Sequence, residues 1–201
     1  MFLPILSSIL GILAFLPFDY LWSFGFFYLV PLFIFFAKEN KFWRLVLGTF
    51  IFRLIFYLGT VYYTLEPIVW ISSIGIFLGL PITVFIVKKI KNFYLIGSAK
   101  NYSFIIHNSL FIILPFLWTF FDHLQARFSL LPTYIITAGN IFGSSPFLGL
   151  ASISGLILLT FFAALINIMV ALIILNFKNK KVAAIFLIII ITTLLIVWQI
   201  S

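Results

Sequence analysis

The stretch WTFFDHLQARFSLLPTYIITAGNIFGSSPFLGLASISG, residues 118–155, joins two strongly apolar segments, residues 103–121 and 150–175. The connection between them, residues 122–149, contains an acid, a histidine, an arginine, two prolines and several small polar residues. Loops of this length are uncommon in compact domains unless they have a function of their own. We therefore expect this connection, called the long loop below, to form the functional part of the protein.

The composition is that of an integral membrane protein. Hydrophobic residues make up 65% of the 201 residues and charged residues only 8%. Apolar runs repeatedly reach the length needed to cross a bilayer. Because these runs use almost all of the chain, the sequence predicts a single transmembrane domain over residues 1–201, with no room for a water-soluble catalytic domain.

Several classes of site are excluded by residue content. The chain has no cysteine, which rules out disulfides, thiolate metal sites and a cysteine nucleophile within these residues. Two histidines alone do not predict a metal site, so we expect neither a metal nor a cofactor. The net charge of +8 comes from basic residues clustered in short turns between spans, which argues against a nucleic-acid partner.

The apolar runs predict an all-α bundle of about seven transmembrane helices. Residues 1–16 lack the basic start and the cleavage site of a signal peptide, so they are predicted to be a retained helix. The predicted spans are residues 1–16, 21–37, 42–63, 68–87, 103–121, 150–175 and 182–200.

The basic residues also predict the orientation of the bundle. Cytoplasmic loops of membrane proteins are enriched in lysine and arginine. Ten of the twelve basic residues follow the second, fourth and sixth spans, at Lys38, Lys41, Arg44, Lys88, Lys89, Lys91, Lys100, Lys178, Lys180 and Lys181. This bias predicts a cytoplasmic N-terminus, with the long loop and the C-terminus on the outer side.

Arg53 lies near the middle of the third span. A charged side chain at that depth costs about 2.5–3.5 kcal/mol on insertion scales, so it usually faces protein or water. Thr49 and Tyr57 lie one turn before and after it and extend a polar stripe. We expect Arg53 to face the bundle interior and to contact a polar group at similar depth, such as Asn167, rather than substrate.

Two glycines in the fourth span, Gly75 and Gly79, have the G-x-x-x-G spacing. Small residues at this spacing let two helices approach closely. The spacing is common, and it indicates helix packing more than ligand binding.

Asp122 and His123 form a titratable pair at the predicted outer end of the fifth span. Such a pair could serve acid–base chemistry, but no serine, histidine and aspartate stand at a recognisable triad spacing. Pairing of Asp122 with Arg127 or with a backbone amide is the simpler interpretation.

The order of several short motifs resembles one family, the bacterial apolipoprotein N-acyltransferases, in their N-terminal membrane domain. These motifs are Ala14 to Tyr20, Val30-Pro31-Leu32, the third span from Gly48 through Gly59 to Tyr62-Tyr63, Leu114 to Trp118 with Asp122, Pro132, Gly139, Leu150-Ala151-Ser152, Gly155 and Asn167. Two motifs differ: the family's Glu-Trp-x-Arg is here Asp122-His123-Leu124-Gln125, and the aromatic and glutamine after the loop glycine are Asn140 and Ile141.

The resemblance implies a function in lipoprotein maturation at the bacterial cytoplasmic (inner) membrane. In the family, an outward nitrilase-like domain with a Glu, Lys and Cys set moves an acyl chain from phospholipid to the amino-terminal cysteine of a lipoprotein. Without a cysteine, this chain is expected to have no catalytic residue of its own. The residues expected to contact phospholipid or lipoprotein substrate are Asp19, Tyr62, Tyr63, Trp118, Asp122, His123, Arg127 and Asn140.

Three functions follow as hypotheses. The first is a split or degenerate lipoprotein N-acyltransferase membrane domain that binds lipid and docks a separate nitrilase-like catalytic partner. The second is a self-contained membrane enzyme that uses Asp122, His123 or Arg127 on a lipid headgroup. The third is a small transport or flippase component in which Arg53 lines the path.

The predicted orientation can be tested with single cysteines introduced at Ser144 and Asn179. In intact cells, an impermeant thiol reagent should label the cysteine in the long loop and leave the one beside the last basic turn unlabelled. The cysteine-free parent chain is the control for background labelling. Labelling at position 179 in place of 144 would reverse the predicted orientation.

Overall fold

The computed structural model describes residues 1–16, 18, 20–60, 73–97, 103–128, 138–143 and 145–200, without the side chains of 91–97, 103–109 and 200. Within these residues the chain is helical and contains no β-strand. The α-helices are α1 (Phe2–Phe15), α2 (Val30–Lys38), α3 (Phe42–Thr60), α4 (Gly79–Gly97), α5 (Ser103–Phe128), α6 (Ala151–Leu175) and α7 (Lys180–Ile200). Three 3₁₀-helices cover Leu21–Phe26, Ala138–Phe142 and Pro146–Leu150.

The described helices confirm the predicted all-α membrane fold. Five segments are long and apolar enough to cross a membrane, and α1 is a shorter apolar helix of 14 residues. These five segments are Leu21–Lys38, Phe42–Thr60, Ser73–Ile90, Pro146–Leu175 and Lys180–Gln199. The orientation of the bundle in the membrane stays a prediction.

Helix α6 lies at the centre of the packing. It contacts α2, α5 and α7 and both later 3₁₀-helices. On the other side of the bundle, α3 packs between α1 and α4, and α4 in turn packs on α5. Helix α7 exposes most of its apolar side chains, as expected for a helix whose outer surface faces lipid.

Two predicted span ends are wrong, and in both cases the helix continues further. Helix α5 ends at Phe128, about two turns after residue 121, so Asp122, His123 and Arg127 lie on the helix and not in a loop. Its buried positions Leu114, Trp118 and Asp122 are spaced by four, so one face stays in the core through this extension.

Helix α4 also extends beyond its predicted end, to Gly97, and includes Lys88. The Lys88 ammonium donates to the backbone oxygens of Ala37 (3.1 Å) and Glu39 (2.6 Å) at the end of α2. Carbonyls at a helix C-terminus have no partner within the helix, so this lysine satisfies them. In the same turn, a hydrogen bond from the Lys41 amide lowers the pKa of the Glu39 carboxyl.

The second span is broken between Phe26 and Val30, where a 3₁₀-helix gives way to α2. Backbone groups freed by a break at membrane depth must find partners inside the protein. Asn167 of α6 supplies them: its side-chain oxygen accepts from the Leu29 amide (2.9 Å), and its side-chain nitrogen donates to Gly25 oxygen (2.7 Å). The expected contact between Asn167 and Arg53 is therefore wrong, because the Asn167 amide is already bonded to this break.

The G-x-x-x-G segment packs at one of its two glycines. A Cβ atom added to Gly79 would lie 2.3 Å from the Phe121 ring, so α5 packs directly on the backbone of α4 there. A Cβ on Gly75 would meet nothing within 4 Å. The packing function is thus specific to Gly79.

Candidate functional site

A buried ion pair links α3 to α5. The Arg53 guanidinium donates to one carboxylate oxygen of Asp122 at 3.0 Å, and each residue is only 1% exposed. Arg53 thus faces the bundle interior as predicted, but its partner is Asp122. A carboxylate is the stronger partner for a guanidinium, because hydrogen bonds between two ionised groups are shorter and stronger than neutral ones.

Aromatic rings enclose the guanidinium. Its carbon lies 3.5 Å from the centroid of the Phe77 ring and 5.2 Å from the Trp118 ring. The negative face of an aromatic ring attracts a cation, and the attraction grows when water is excluded. Phe77 and Trp118 are both buried, with ring centroids 5.0 Å apart, so the arginine is held by π-faces as well as by charge.

The second oxygen of Asp122 connects the ion pair to the long loop. It accepts a hydrogen bond from the Ala138 amide at 2.8 Å, and the next amide, Gly139, donates to Thr160 of α6 at 3.0 Å. Two consecutive backbone amides of the loop are thereby fixed by side chains from two helices. The predicted contact of Asp122 with a backbone amide is confirmed.

Gly139 is required by close approach of two backbones. A Cβ atom at this position would lie 2.6 Å from the backbone oxygen of Leu156 in α6. Backbone oxygens cannot move aside as a flexible side chain can. The loop therefore presses its own backbone against α6 at this point.

The described parts of the long loop are packed into the bundle. The two 3₁₀-helices Ala138–Phe142 and Pro146–Leu150 bury apolar side chains, and Ser145 caps the second by accepting from the Phe147 amide at 3.2 Å. An aromatic cluster joins them to the broken second span and to α6. Its members are Trp22, Phe26, Phe142, Phe147 and Phe162.

A cavity lies beside α5, on a different face of the helix from Asp122. It has a volume of about 420 Å³ and lies between α5 and α6, beside the point where the loop enters α6. We call it the His123 cavity, and its walls are formed by Phe116, Thr119, Phe120, His123, Leu124, Ser154, Ile157, Leu158 and Phe161. The walls are mainly apolar, with polar side chains from three positions only.

The wall of this cavity contains an interruption of α6. Ser154 and Gly155 depart from helical geometry, and Gly155 has φ of +66° and ψ of −164°. This region of backbone space is essentially restricted to glycine. The interruption places Ser154 in the cavity wall and starts the regular part of α6 just after it.

In the part of the chain that the structure describes, some buried polar groups make no hydrogen bond. They include Arg53 Nε, Trp118 Nε1 and both amide atoms of Gln125. A buried polar group left without a partner costs about 1–3 kcal/mol. The two helices that carry the ion pair, α3 and α5, therefore also bear polar groups that are costly to bury.

The structure separates the predicted site residues into different surroundings. Trp118 and Asp122 are buried in the core, His123 is half-buried in the cavity wall, and Arg127 is exposed near the end of α5. Asn140 is half-buried in the first 3₁₀-helix of the loop. Asp19, Tyr62 and Tyr63 lie outside the described residues.

Two contacts of this site are not predicted from the sequence. The Arg53–Asp122 pair could have been predicted, because the chain has only four acidic residues and Asp122 continues the Leu114–Trp118 face. The contact between Thr160 and Gly139 could not have been predicted, because a threonine in an apolar helix most often bonds to its own backbone.

The arrangement suits binding more than acid–base chemistry. Both oxygens of Asp122 are bonded, to Arg53 and to the Ala138 amide, so the carboxylate is not free to exchange protons with a substrate. Among the described residues, no group of three histidine, aspartate or glutamate side chains could hold a metal ion. The accessible feature of the site is the His123 cavity.

Neutralising one member of the ion pair should be more harmful than neutralising both. Arg53→Met leaves a buried carboxylate unpaired, and Asp122→Asn leaves a buried guanidinium, each of which should cost about 3–5 kcal/mol. The double variant removes both charges and keeps an oxygen for the Ala138 amide, so it should be more stable than either single variant. The free energy of unfolding in mixed micelles, measured by denaturing-detergent titration, gives these values.

The pair Arg44–Glu39, at 3.6 Å and with its arginine exposed, is the control for this cycle. Arg44→Met should change stability by less than about 1 kcal/mol, because exposed ion pairs contribute little. Additive effects at Arg53 and Asp122 would show that the buried contact has no energetic role.

Comparison with known protein families gives one match. Residues 7–169 match the family described as the apolipoprotein N-acyltransferase N-terminal domain. The matched region is more than half of the chain and includes the ion pair, the loop and the His123 cavity. No curated protein and no solved structure gives a significant match. The chain therefore belongs to the family of apolipoprotein N-acyltransferase N-terminal domains.

Proposed function

We propose that this membrane domain binds the lipid part of its substrates beside α5 and docks a nitrilase-like catalytic domain in lipoprotein maturation. Membership of the family makes the chain the membrane part of a lipoprotein N-acyltransferase-like protein. The lipid site and the docking function go beyond family membership, and we propose both. The bacterial inner membrane is the proposed location.

One observation carries the proposal: a cavity of about 420 Å³ lies between α5 and α6, near the point where the long loop enters α6. The loop is held by Asp122 and Thr160 through the amides of Ala138 and Gly139. Irregular backbone inside a membrane domain must find its hydrogen-bond partners in protein, and these two side chains supply them. An apolar cavity with a few polar groups is the usual form of a ligand site.

The catalytic groups are proposed to come from outside residues 1–201. Acyl transfer through a thioester requires a cysteine thiolate, and these residues contain none. The two 3₁₀-helices of the long loop supply the proposed docking surface, because they are packed into the bundle and lead directly into α6, which forms one wall of the cavity. The proposed partner is therefore a nitrilase-like domain that reaches the lipid above this loop.

The described contacts favour this proposal over the two rival functions. A headgroup enzyme that used Asp122 would need a free carboxylate, and both oxygens of Asp122 are bonded. A transport path lined by Arg53 would need that side chain to be accessible, and it is 1% exposed.

Acyl transfer should require the partner domain. The purified chain in phospholipid vesicles, given a diacylated lipopeptide, should form no N-acylated product detectable by mass spectrometry. Adding the purified nitrilase-like domain of an apolipoprotein N-acyltransferase should produce it. Ile157→Trp, which fills the His123 cavity, should lower the yield roughly tenfold by excluding part of an acyl chain.

Ile153→Trp is the matched control, since Ile153 is an exposed isoleucine four residues earlier, before the interruption of α6, and outside the cavity wall. It should retain the parent's yield. Product from the isolated chain, abolished by Asp122→Ala or His123→Ala, would contradict the proposal in favour of a self-contained enzyme. An equal loss of product yield in both tryptophan variants would show that the His123 cavity does not bind the acyl chain.

A further inference from the structure

Two basic turns that are distant in sequence meet in the structure. The first joins α2 to α3, and the second lies in the last part of α4. Lys88 of α4 bonds to the end of α2, and its ammonium also donates to the Asn40 side-chain oxygen at 3.3 Å. Phe42 of α3 packs on Phe85 of α4, with ring centroids 5.2 Å apart. These contacts bring the cations of both turns to one surface.

The surface carries an excess of positive charge. We call it the basic cluster, and its members are Lys38, Lys41, Arg44, Lys88 and Lys89. All of them except Lys88 are exposed. The Lys89 ammonium lies 5.6 Å from the centroid of the Phe85 ring, which is the ring that packs on α3. The α4 cation is therefore held at the junction with α3.

Glu39 is the only acidic residue in the sequence of these two turns, and it is already bonded. One of its carboxylate oxygens accepts from the amides of Asn40 (3.0 Å) and Lys41 (2.9 Å). The other lies 3.6 Å from the Arg44 guanidinium, which keeps further N–H donors for a second anion. One carboxylate cannot neutralise five cations, so the basic cluster keeps a net positive charge.

The cations at the start of α3 are placed against the helix dipole. Lys41 precedes the helix directly, Arg44 lies in its first turn, and that turn has no acidic residue. The N-terminus of a helix carries a partial positive charge, which repels cations and attracts anions. The arrangement therefore does not serve the stability of α3, and a bound anion would remove the repulsion.

An exposed aromatic ring lies beside the basic cluster. Trp43 is 76% exposed, and its ring centroid is 5.3 Å from that of Phe42. Tryptophan is enriched at the level of the lipid headgroups. Phe42 precedes Arg53 by eleven residues, or about 16 Å along α3, so the cluster lies at the end of the spanning helix. Exposed cations and an interfacial ring thus occur together at the predicted cytoplasmic boundary.

We propose that the basic cluster binds the headgroup of an anionic glycerophospholipid, with Lys41, Arg44 and Lys89 on the phosphate and Trp43 beside the glycerol. Arginine and lysine form strong charge-assisted hydrogen bonds with phosphate oxygens. The excess of cations favours an anionic headgroup over a zwitterionic one. This site is separate from the His123 cavity, so the inference does not depend on the proposed function.

The third basic turn, between α6 and α7, provides the matched comparison. It contains Lys178, Lys180 and Lys181, all exposed, and the adjacent Phe177 is 77% exposed. Its three cations come from one stretch of sequence. The topological need for basic residues applies to both places equally. A difference in lipid binding between them would therefore come from the way α3 and α4 combine their charges.

Native mass spectrometry of the full chain in a neutral detergent tests the inference. The first molecule of phosphatidylglycerol should bind the parent chain roughly tenfold or more tightly than phosphatidylcholine. Each cation near an anionic headgroup contributes roughly a factor of five. The triple variant Lys41→Gln, Arg44→Gln, Lys89→Gln should therefore lose this preference. All three positions are exposed, so the fold is retained.

Two further variants control the test. The triple variant Lys178→Gln, Lys180→Gln, Lys181→Gln should keep the parent's preference for phosphatidylglycerol. The double variant Lys41→Arg, Lys89→Arg keeps the charges and should keep the preference as well. Detergent micelles impose no membrane orientation, so the loss of basic residues cannot act through topology.

Three outcomes would overturn the inference. The first is a parent chain that binds both lipids equally. The second is an equal loss of preference in the two glutamine variants, which would show general attraction between a basic protein and anionic lipid. The third is displacement of phosphatidylglycerol by an equal concentration of glycerol 3-phosphate, which would assign the basic cluster to a soluble phosphate ester.

Discussion

An arginine and an aspartate meet inside this bundle at a depth where little water is available to either charge. Each alone would be costly to bury, and together they offset that cost through a 3.0 Å charged hydrogen bond and the π-face of Phe77. The aspartate has an oxygen left over, and the Ala138 amide occupies it. The ion pair thereby fixes the start of the described loop.

The same constraint explains the other polar residues of the long helices. At several described places where the backbone leaves helical geometry or a helix ends, a side chain from a neighbouring helix bonds to it. Asn167 serves the break in the second span, and Thr160 serves Gly139. Lys88 serves the end of α2 in the same way. These three polar side chains thus form hydrogen bonds with backbone groups that have no partner within a helix.

Composition and periodicity were enough to predict the fold class, because a chain this apolar has few ways to satisfy its backbone in lipid. The ends of the spans were predicted less accurately than their number and type. The fifth span is predicted to end at residue 121, just before the charged Asp122, because charge usually marks the membrane boundary. The helix instead continues to Phe128, and Asp122 is buried in the core. A charge that is paired inside the bundle does not mark a boundary.

The partner of Arg53 could not be chosen from depth alone. Asn167 has a suitable depth, but its amide was needed by a break in the second span that the apolar pattern of residues 21–37 does not reveal. The His123 cavity was equally hidden, because it depends on the interruption at Ser154 and Gly155 within an otherwise continuous apolar helix. The family resemblance predicted the family correctly, and the three-dimensional contacts show the surroundings of the described residues.

The central claim is that Asp122 fixes the long loop through the Ala138 amide, and amide hydrogen exchange measures this directly. In the reconstituted chain, Asp122→Leu should speed exchange in the peptide containing Ala138 to Phe142 roughly tenfold or more, while Asp122→Asn, which keeps an acceptor oxygen, should have a smaller effect. Exchange at the Lys88 cap should not change. Unaltered protection of Ala138 to Phe142 in Asp122→Leu would contradict the account.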